Sequence, residues 1–260
     1  MMNRKVVDLS DFCKDLEPLH ASMHYVAYID VLGTKNIVKN DKDDNYLNDL
    51  NNIYHNALKE AKENNNIDTV DVVTKIFSDN IIFAIKLDKD DKKNEEKLSK
   101  ILHLVGHMQT KALLKGYLVR GAITKGNFCA NELFINGQAL IDAYTMEENN
   151  AIYPRIVLQE SPVNIPASFI EQDKDGMYYV NSYHFSTTDV VILAKEALLK
   201  ILNKYHSDSK VKQKILWAIS YHNQYVNTLL SKNVPELMEH AEDIITNEEI
   251  INAMRKNTDD

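Results

Sequence analysis

The apolar positions of the first 160 residues follow two rhythms. Unbroken or alternating apolar runs at 24–33, 70–77, 80–87, 117–125 and 152–158 predict strands, because a strand buried on both faces reads as a near-continuous apolar stretch. Between them Leu47, Leu50, Ile53, Tyr54, Ala57, Leu58 and Ala61 recur at three- and four-residue spacing and predict a helix from about Asn45 to Asn64. Further helices are expected over about Glu96–Lys115 and Gln138–Glu148, with a short β run near Phe134. The strands at 70–77 and 80–87 leave only Ser78-Asp79 between them, which predicts a hairpin with Asp79 at its tip. The charge-rich run from Lys86 to Lys97 is expected to be a solvated loop.

This β-α-β-β-α-β-β order predicts an α+β sandwich, ferredoxin-like, with a largely antiparallel sheet and helices on one face. After about Ser161 the pattern changes. Asp173-Lys174-Asp175-Gly176 is a turn signal between short β runs, and from Thr188 the spacing is helical to the end, with breaks at Ser207–Ser209 and Pro235. The expected organisation is an N-terminal extension at 1–21, an α+β domain at 22–160, and a β-turn element with an α-helical annex at 161–260. Trp217, Tyr221 and Tyr225 recur at helical spacing and are expected to face a core or a dimer partner.

Two aspartates change the picture from fold to chemistry. Asp30 ends the run Tyr25-Val26-Ala27-Tyr28-Ile29-Asp30, and Asp79 sits at the hairpin tip. A carboxylate in an apolar strand is costly without a cation or donors, so each needs a partner, and a shared divalent metal site fits both. Composition narrows the alternatives. With 260 residues the chain can bury roughly three quarters of its unfolded surface and needs no staple to hold a core. The net charge of −8 argues against a broad nucleic-acid footprint while allowing a small anion held with metal. The two cysteines, Cys13 and Cys129, have no metal-ligand spacing and suit a reducing compartment. Without a long apolar run or a signal-peptide pattern, a cytoplasmic protein with no membrane partner is expected.

The motifs resemble the catalytic domain of class III nucleotidyl cyclases. Ile29-Asp30-Val31-Leu32-Gly33-Thr34 resembles their first metal motif, and Lys75-Ile76-Phe77-Ser78-Asp79 their second. Arg120-Gly121-Ala122-Ile123 with Gly126, and the Gly-led helix Gly137–Tyr144, resemble later parts of that domain, and Tyr153-Pro154-Arg155 falls where the family carries a triphosphate-binding cation. The resemblance spans about residues 22–160. Two departures stand out: Phe134 occupies the purine-reading position, and Ile141 and Thr145 replace an Asn and an Arg that orient ribose and stabilise the transferring phosphate. The departed pattern looks like the pyrimidine cyclases of Pycsar antiphage defence.

The resemblance implies a cyclase that converts UTP or CTP to a 3′,5′-cyclic monophosphate, a second messenger. It implies two divalent ions, Mg²⁺ or Mn²⁺, on Asp30 and Asp79, with Arg155 on the triphosphate. Amides around Val31, Leu32 and Gly33 would cradle phosphate, Arg120 would contribute to nucleotide binding, and Lys75 and Tyr144 would read the base. A homodimer with shared active sites is implied too. The competing expectations are an adenylyl or guanylyl cyclase on the same fold, and a catalytically degenerate dimer that senses nucleotides.

Overall fold

Strand β1 (Ser22–Val31) is the axis of an eight-stranded sheet. It pairs antiparallel with β3 (Asn80–Lys86) on one side and with β4 (Val119–Ala130) on the other, and β2 (Val72–Phe77) closes the edge beyond β3. Past β4 the sheet continues through β6 (Ile156–Leu158), β8 (Tyr178–Val180) and β7 (Ile170–Gln172), while β5 (Ile135–Asn136) pairs with the far end of β4. Only the β4–β6 pairing is parallel among those described. The computed structural model describes residues 19–41, 43–65, 72–160, 164–187, 189–232 and 242–255. Residues 1–18, most of the expected N-terminal extension, and Pro235 lie outside the described residues.

Successive side chains of a strand point to opposite faces, which sorts β1 cleanly. Ala27, Ile29 and Val31 face the main core, built with α2 (Asn45–Asn65) and α3 (Asp91–Leu114) through Leu50, Ile53, Ile101, Leu104, Val105 and Met108. Val26, Tyr28 and Asp30 therefore face the other way. There α4 (Gln138–Asn150) crosses the sheet, its Ala139 packed with Val26, Ala84 and Phe128. The α+β sandwich is the expected class, and the second face carries a helix of its own.

Two glycines permit the close approaches this layer needs. A Cβ on Gly121 would lie 2.4 Å from the Tyr28 carbonyl oxygen, so β4 can lie against β1 there only without a side chain. Gly137 has φ 144° and a Cβ would meet the Asn127 carbonyl oxygen at 2.3 Å, which seats the start of α4 on β4. Thr124 Oγ1 donates to the Ala139 carbonyl at 2.6 Å and fastens the same contact.

Two local expectations need correction. The run at 86–97 is not all loop: α3 starts at Asp91, because Asp90 is its N-cap and accepts from the Lys92 N–H at 3.1 Å. A short helix, α1 (Thr34–Asn40), also follows Gly33, where no helical rhythm is long enough to read.

The C-terminal part is joined to the sheet at its edge. The β7–β8 hairpin turns at Gly176, with φ 85°, and extends the sheet by pairing Tyr179 with Val157. Helices α5 (Asp189–Tyr205) and α6 (Ser209–Leu230) pack together through Leu198, Leu202, Ile215 and Ile219, with Ala253 of α7 (Asn247–Arg255). Trp217, Tyr221 and Tyr225 face this interior against Tyr179 and Tyr183, as core aromatics. No helix among the described residues is long and apolar enough to cross a membrane.

Candidate active site

The second face of the sheet ends in a cluster of carboxylates. Asp30 leaves the end of β1, and the two-residue turn between paired Phe77 and Asn80 presents Asp79 beside it. Ser78 takes φ 57° in that turn, a left-handed conformation uncommon for a residue with a side chain. The phenol of Tyr54 donates to the Asp79 carbonyl at 3.1 Å, and Tyr28 Oη donates to Asn80 Oδ1 at 2.6 Å, so both ends of the tip are tied down. The Asp30 and Asp79 side chains come within hydrogen-bonding reach of each other.

Arg120 stands directly opposite Asp30 in the β1–β4 ladder, and so shares its face. Its Nε lies 3.6 Å from Asp30 Oδ2 and 2.5 Å from Oε1 of Glu147 on α4. Neither Arg120 Nε nor Glu147 Oε1 has a well-aligned hydrogen bond, so this contact is an ion pair of charge more than of direction. Glu147 itself is 2% exposed and burial raises its carboxyl above the ordinary range.

Asp30 feels all of this. Burial is the largest cause, followed by the charges of Glu147 and Asp79, and together they push its carboxyl up to about 7 against the pull of Arg120. Asp30, Asp79 and Glu147 repel one another more than the single charge of Arg120 offsets at Asp30, which is the electrostatic condition a divalent ion would relieve. The donor set is hard oxygen, which suits Mg²⁺ or Mn²⁺, and Asp30 and Asp79 are side chains that could hold such an ion. Among the described residues no group of three or more His, Cys, Asp or Glu converges as a complete cage, so remaining ligands would come from substrate and solvent.

The linkage to stability has a definite sign. Asp30 is protonated in the unfolded chain only below about pH 4, whereas the folded protein keeps the proton to about pH 7. Its contribution to stability is therefore full below about pH 4 and lost as pH rises to about 7. Asp30→Asn is expected to be about 2–4 kcal/mol more stable than the parent at pH 8 with chelator present, and no more stable near pH 4. Urea melts at the two pH values check this. A variant no more stable at pH 8 would show that the carboxylates do not strain the metal-free site.

The other expected site residues divide. Lys75 lies on the Asp30 face of β2, opposite Ile82, and its Nζ donates to the Glu132 carbonyl at 2.9 Å. Tyr144, on α4 and half exposed, meets Tyr28 edge to face with ring centroids 5.7 Å apart. Ile141 and Thr145 are exposed on the same helix. Of the expected phosphate cradle, the Leu32 N–H donates to the Leu118 carbonyl at 2.8 Å and Val31 lies within the β1 ladder. Gly33, with φ 85°, is the member at a free turn.

Arg155 requires a correction. Expected on a triphosphate, it is instead 1% exposed and held inside the protein. Nη1 pairs with Asp173 and with Asp175 at 3.1 Å, Nη2 pairs with Asp175 and donates to the Asn150 carbonyl at 3.2 Å. Its guanidinium lies over the rings of Tyr153 and Trp217, and Trp217 Nε1 donates to Asp173 Oδ2 at 2.9 Å. The acidic turn Asp173-Lys174-Asp175 holds this arginine against the hairpin and Trp217 of α6.

No protein-family model and no curated protein matches the chain. Among solved structures it is similar to the adenylyl cyclase CyaB from P. aeruginosa, at 15% identity over 63% of this chain and 96% of that one, with a TM-score of 0.47. It is similar to the monomeric guanylyl cyclase domain of the RhoGC fusion protein from the aquatic fungus Blastocladiella emersonii, at 14% identity over 64% and 98%, with a TM-score of 0.46. A class III adenylyl cyclase-like ATP-binding protein from Pseudomonas aeruginosa matches at 14% identity over 68% and 40%, with a TM-score of 0.39. At TM-scores below 0.5 these likenesses carry no argument about what this chain does.

Sequence reasoning left Glu147 without a role. Its signal was available: Ala139, Ala143 and Glu147 recur every four residues, which puts the glutamate in the buried stripe of α4.

Proposed function

We propose that this protein is a metal-dependent nucleotide cyclase, and that its substrate is a pyrimidine nucleoside triphosphate, UTP or CTP. One observation carries the reading: Asp30 and Asp79, distant in sequence, come together at the sheet's end near the Gly33 turn, with the Asp30 carboxyl pushed up to about 7 by burial and by the charges of Glu147 and Asp79. Cyclisation is an in-line phosphoryl transfer in which the ribose 3′ oxygen bonds to the α-phosphorus and the bond to the pyrophosphate breaks. Divalent ions, when bound, would lower the pKa of the attacking hydroxyl and neutralise charge on the leaving oxygens.

The chain's own part is positioning. Asp30 and Asp79 hold the ions at the sheet's end, and Glu147 fixes Arg120 against Asp30. The turn at Gly33 lets phosphate oxygens approach the backbone closely. Tyr144 offers a half-exposed ring for stacking, and Lys75 on the same face offers a donor for a pyrimidine carbonyl. Phe134 in place of a polar purine reader is what favours a pyrimidine. A homodimer fits the exposed Phe77, Ile141 and Tyr144 on the Asp30 side of the sheet, apolar groups that a second copy would cover. Production of a second messenger in antiphage defence is the biological role this reading implies.

The test is to incubate purified protein with each of the four ribonucleoside triphosphates and Mn²⁺ and to analyse products by chromatography. Cyclic UMP or cyclic CMP is expected as the main product. Cyclic AMP or GMP in its place leaves a cyclase of purine specificity, and no cyclic product from any nucleotide rejects the cyclase. One observation favours a nucleotide sensor as the second reading: the uncharged Ile141 and Thr145 leave α4 without a cation to meet transition-state charge. Nucleotide binding by calorimetry without turnover would mark it.

A further inference from the structure

A cleft opens at the Leu32-Gly33 turn, two residues past Asp30 in the chain, and the C-terminal helices form its other wall. It lies where the C-terminal helices meet the β1–α1 turn, a cavity of about 170 Å³ lined by Leu32, Gly33 and Asn36 on one side and by Tyr205, Asp208 and Lys214 on the other. Lys214 comes from the second turn of α6. It is partly buried, and among the described residues it has neither an ion pair nor a hydrogen bond. Asp208 already has partners: as the N-cap of α6 it accepts from the N–H groups of Lys210 and Val211.

The placement of Lys214 is not incidental to a loose helix. One turn further on, Trp217 stacks on Tyr153 at 5.7 Å and donates to Asp173, and Tyr221 donates to Asn181 Oδ1 at 2.8 Å. These contacts fix α6 on the β6–β8 edge and so fix where Lys214 enters. From there its ammonium lies within electrostatic reach of Asp30, Glu147 and Arg120 as well as Asp208. Burial and the Arg120 charge lower its pKa, while the acids act the other way.

We infer that Lys214 is a phosphate-binding residue supplied by the C-terminal helices, and that the cavity between Gly33 and Lys214 takes the outer phosphates of the nucleotide. A partly buried ammonium without a partner is costly, and a polyphosphate oxygen compensates it as a strongly charged acceptor. The cavity begins at Leu32 and Gly33, just past Asp30 in the chain, and Lys214 on its other wall is within electrostatic reach of Asp30, which sets a polyphosphate chain held there near the carboxylates. The assignment also gives the C-terminal region a function: it completes the site in cis with the cation that Arg155, enclosed by Asp173 and Asp175, does not provide.

The inference rests on the cyclase reading for the identity of the nucleotide, and a probe that needs no turnover separates the two. Titration calorimetry of inorganic tripolyphosphate into the full chain with Mn²⁺ is expected to show binding that Lys214→Met weakens about tenfold or more and Lys214→Arg largely keeps. Methionine keeps the aliphatic stem, and matching melting curves confirm the fold. Equal affinity in Lys214→Met and the parent, or no binding by the folded parent, overturns the subsite. Lys214-dependent tripolyphosphate binding with no cyclic product from any nucleotide keeps the subsite and removes the cyclase. Cyclic product with the same KM in parent and Lys214→Met keeps the cyclase and removes the subsite.

Discussion

Asp30→Ala and Asp79→Ala are each expected to lower cyclic nucleotide formation by about a thousandfold or more while the protein stays folded. On the proposed assignment Asp30 and Asp79 are the two protein ligands among the described residues, so removing either would leave a divalent ion with one protein carboxylate. Loss of charge neutralisation then acts on both the attacking and the leaving oxygen. The two variants should differ in stability. Asp30→Ala removes a carboxylate under repulsion from Glu147 and Asp79, so at neutral pH without metal it should melt no lower than the parent. Asp79 sits at a solvent-facing tip whose backbone is tied by Tyr54, and its loss should also leave the fold intact. Initial rates by chromatography, with far-UV circular dichroism as the folding control, decide the matter. An Asp79→Ala protein retaining more than a tenth of the parental rate would remove Asp79 from the metal site.

Arg155→Met is expected to act on folding. The guanidinium is enclosed by Asp173, Asp175, the Asn150 carbonyl and two aromatic rings, and Arg155 holds Asp175 below the usual carboxylate range. Deleting it leaves Asp173 close to Trp217 without its counter-charge, and breaking such a pair costs about 3 kcal/mol or more. For a protein of this size that corresponds to a fall in Tm of about 6–12 °C. Because Asp175 is half exposed, the loss comes chiefly from the Asp173 side and from packing between Tyr153 and Trp217. Differential scanning calorimetry checks this. If Arg155→Met melts like the parent but shows a raised KM for nucleotide, Arg155 belongs to the substrate site after all and the buried arrangement is incidental.

The contrast between Asp30 and Arg155 shows what kind of information each residue carried in the chain. Asp30 was legible because it breaks a local rule: a carboxylate at the end of an apolar strand has to be compensated, whatever the rest of the fold does. Asp79 was legible for the related reason that two strands with a two-residue link force a tight turn at the sheet's end, whichever hairpin turn type is adopted. Arg155 breaks no local rule. Its destination depends on the β7–β8 hairpin returning to pair with β6, a contact between Val157 and Tyr179 that no periodicity near Arg155 announces. Asp173 and Asp175 read as turn formers, and they are that, but the turn is also where the arginine's charge is met.

The chain by itself determined the strands around Asp30 and Asp79, the α2 helix, the α+β class and the hairpin tip, because each follows from spacing within a few residues. The tertiary structure alone decided which face of the sheet Asp30 points to, that Arg120 stands opposite it with Glu147 beneath, and that Lys214 arrives from 184 positions further along the chain. Those are pairings between distant segments, set by strand register and by aromatic packing of α6 against the sheet edge, and a charge carries no local mark of the partner it will meet.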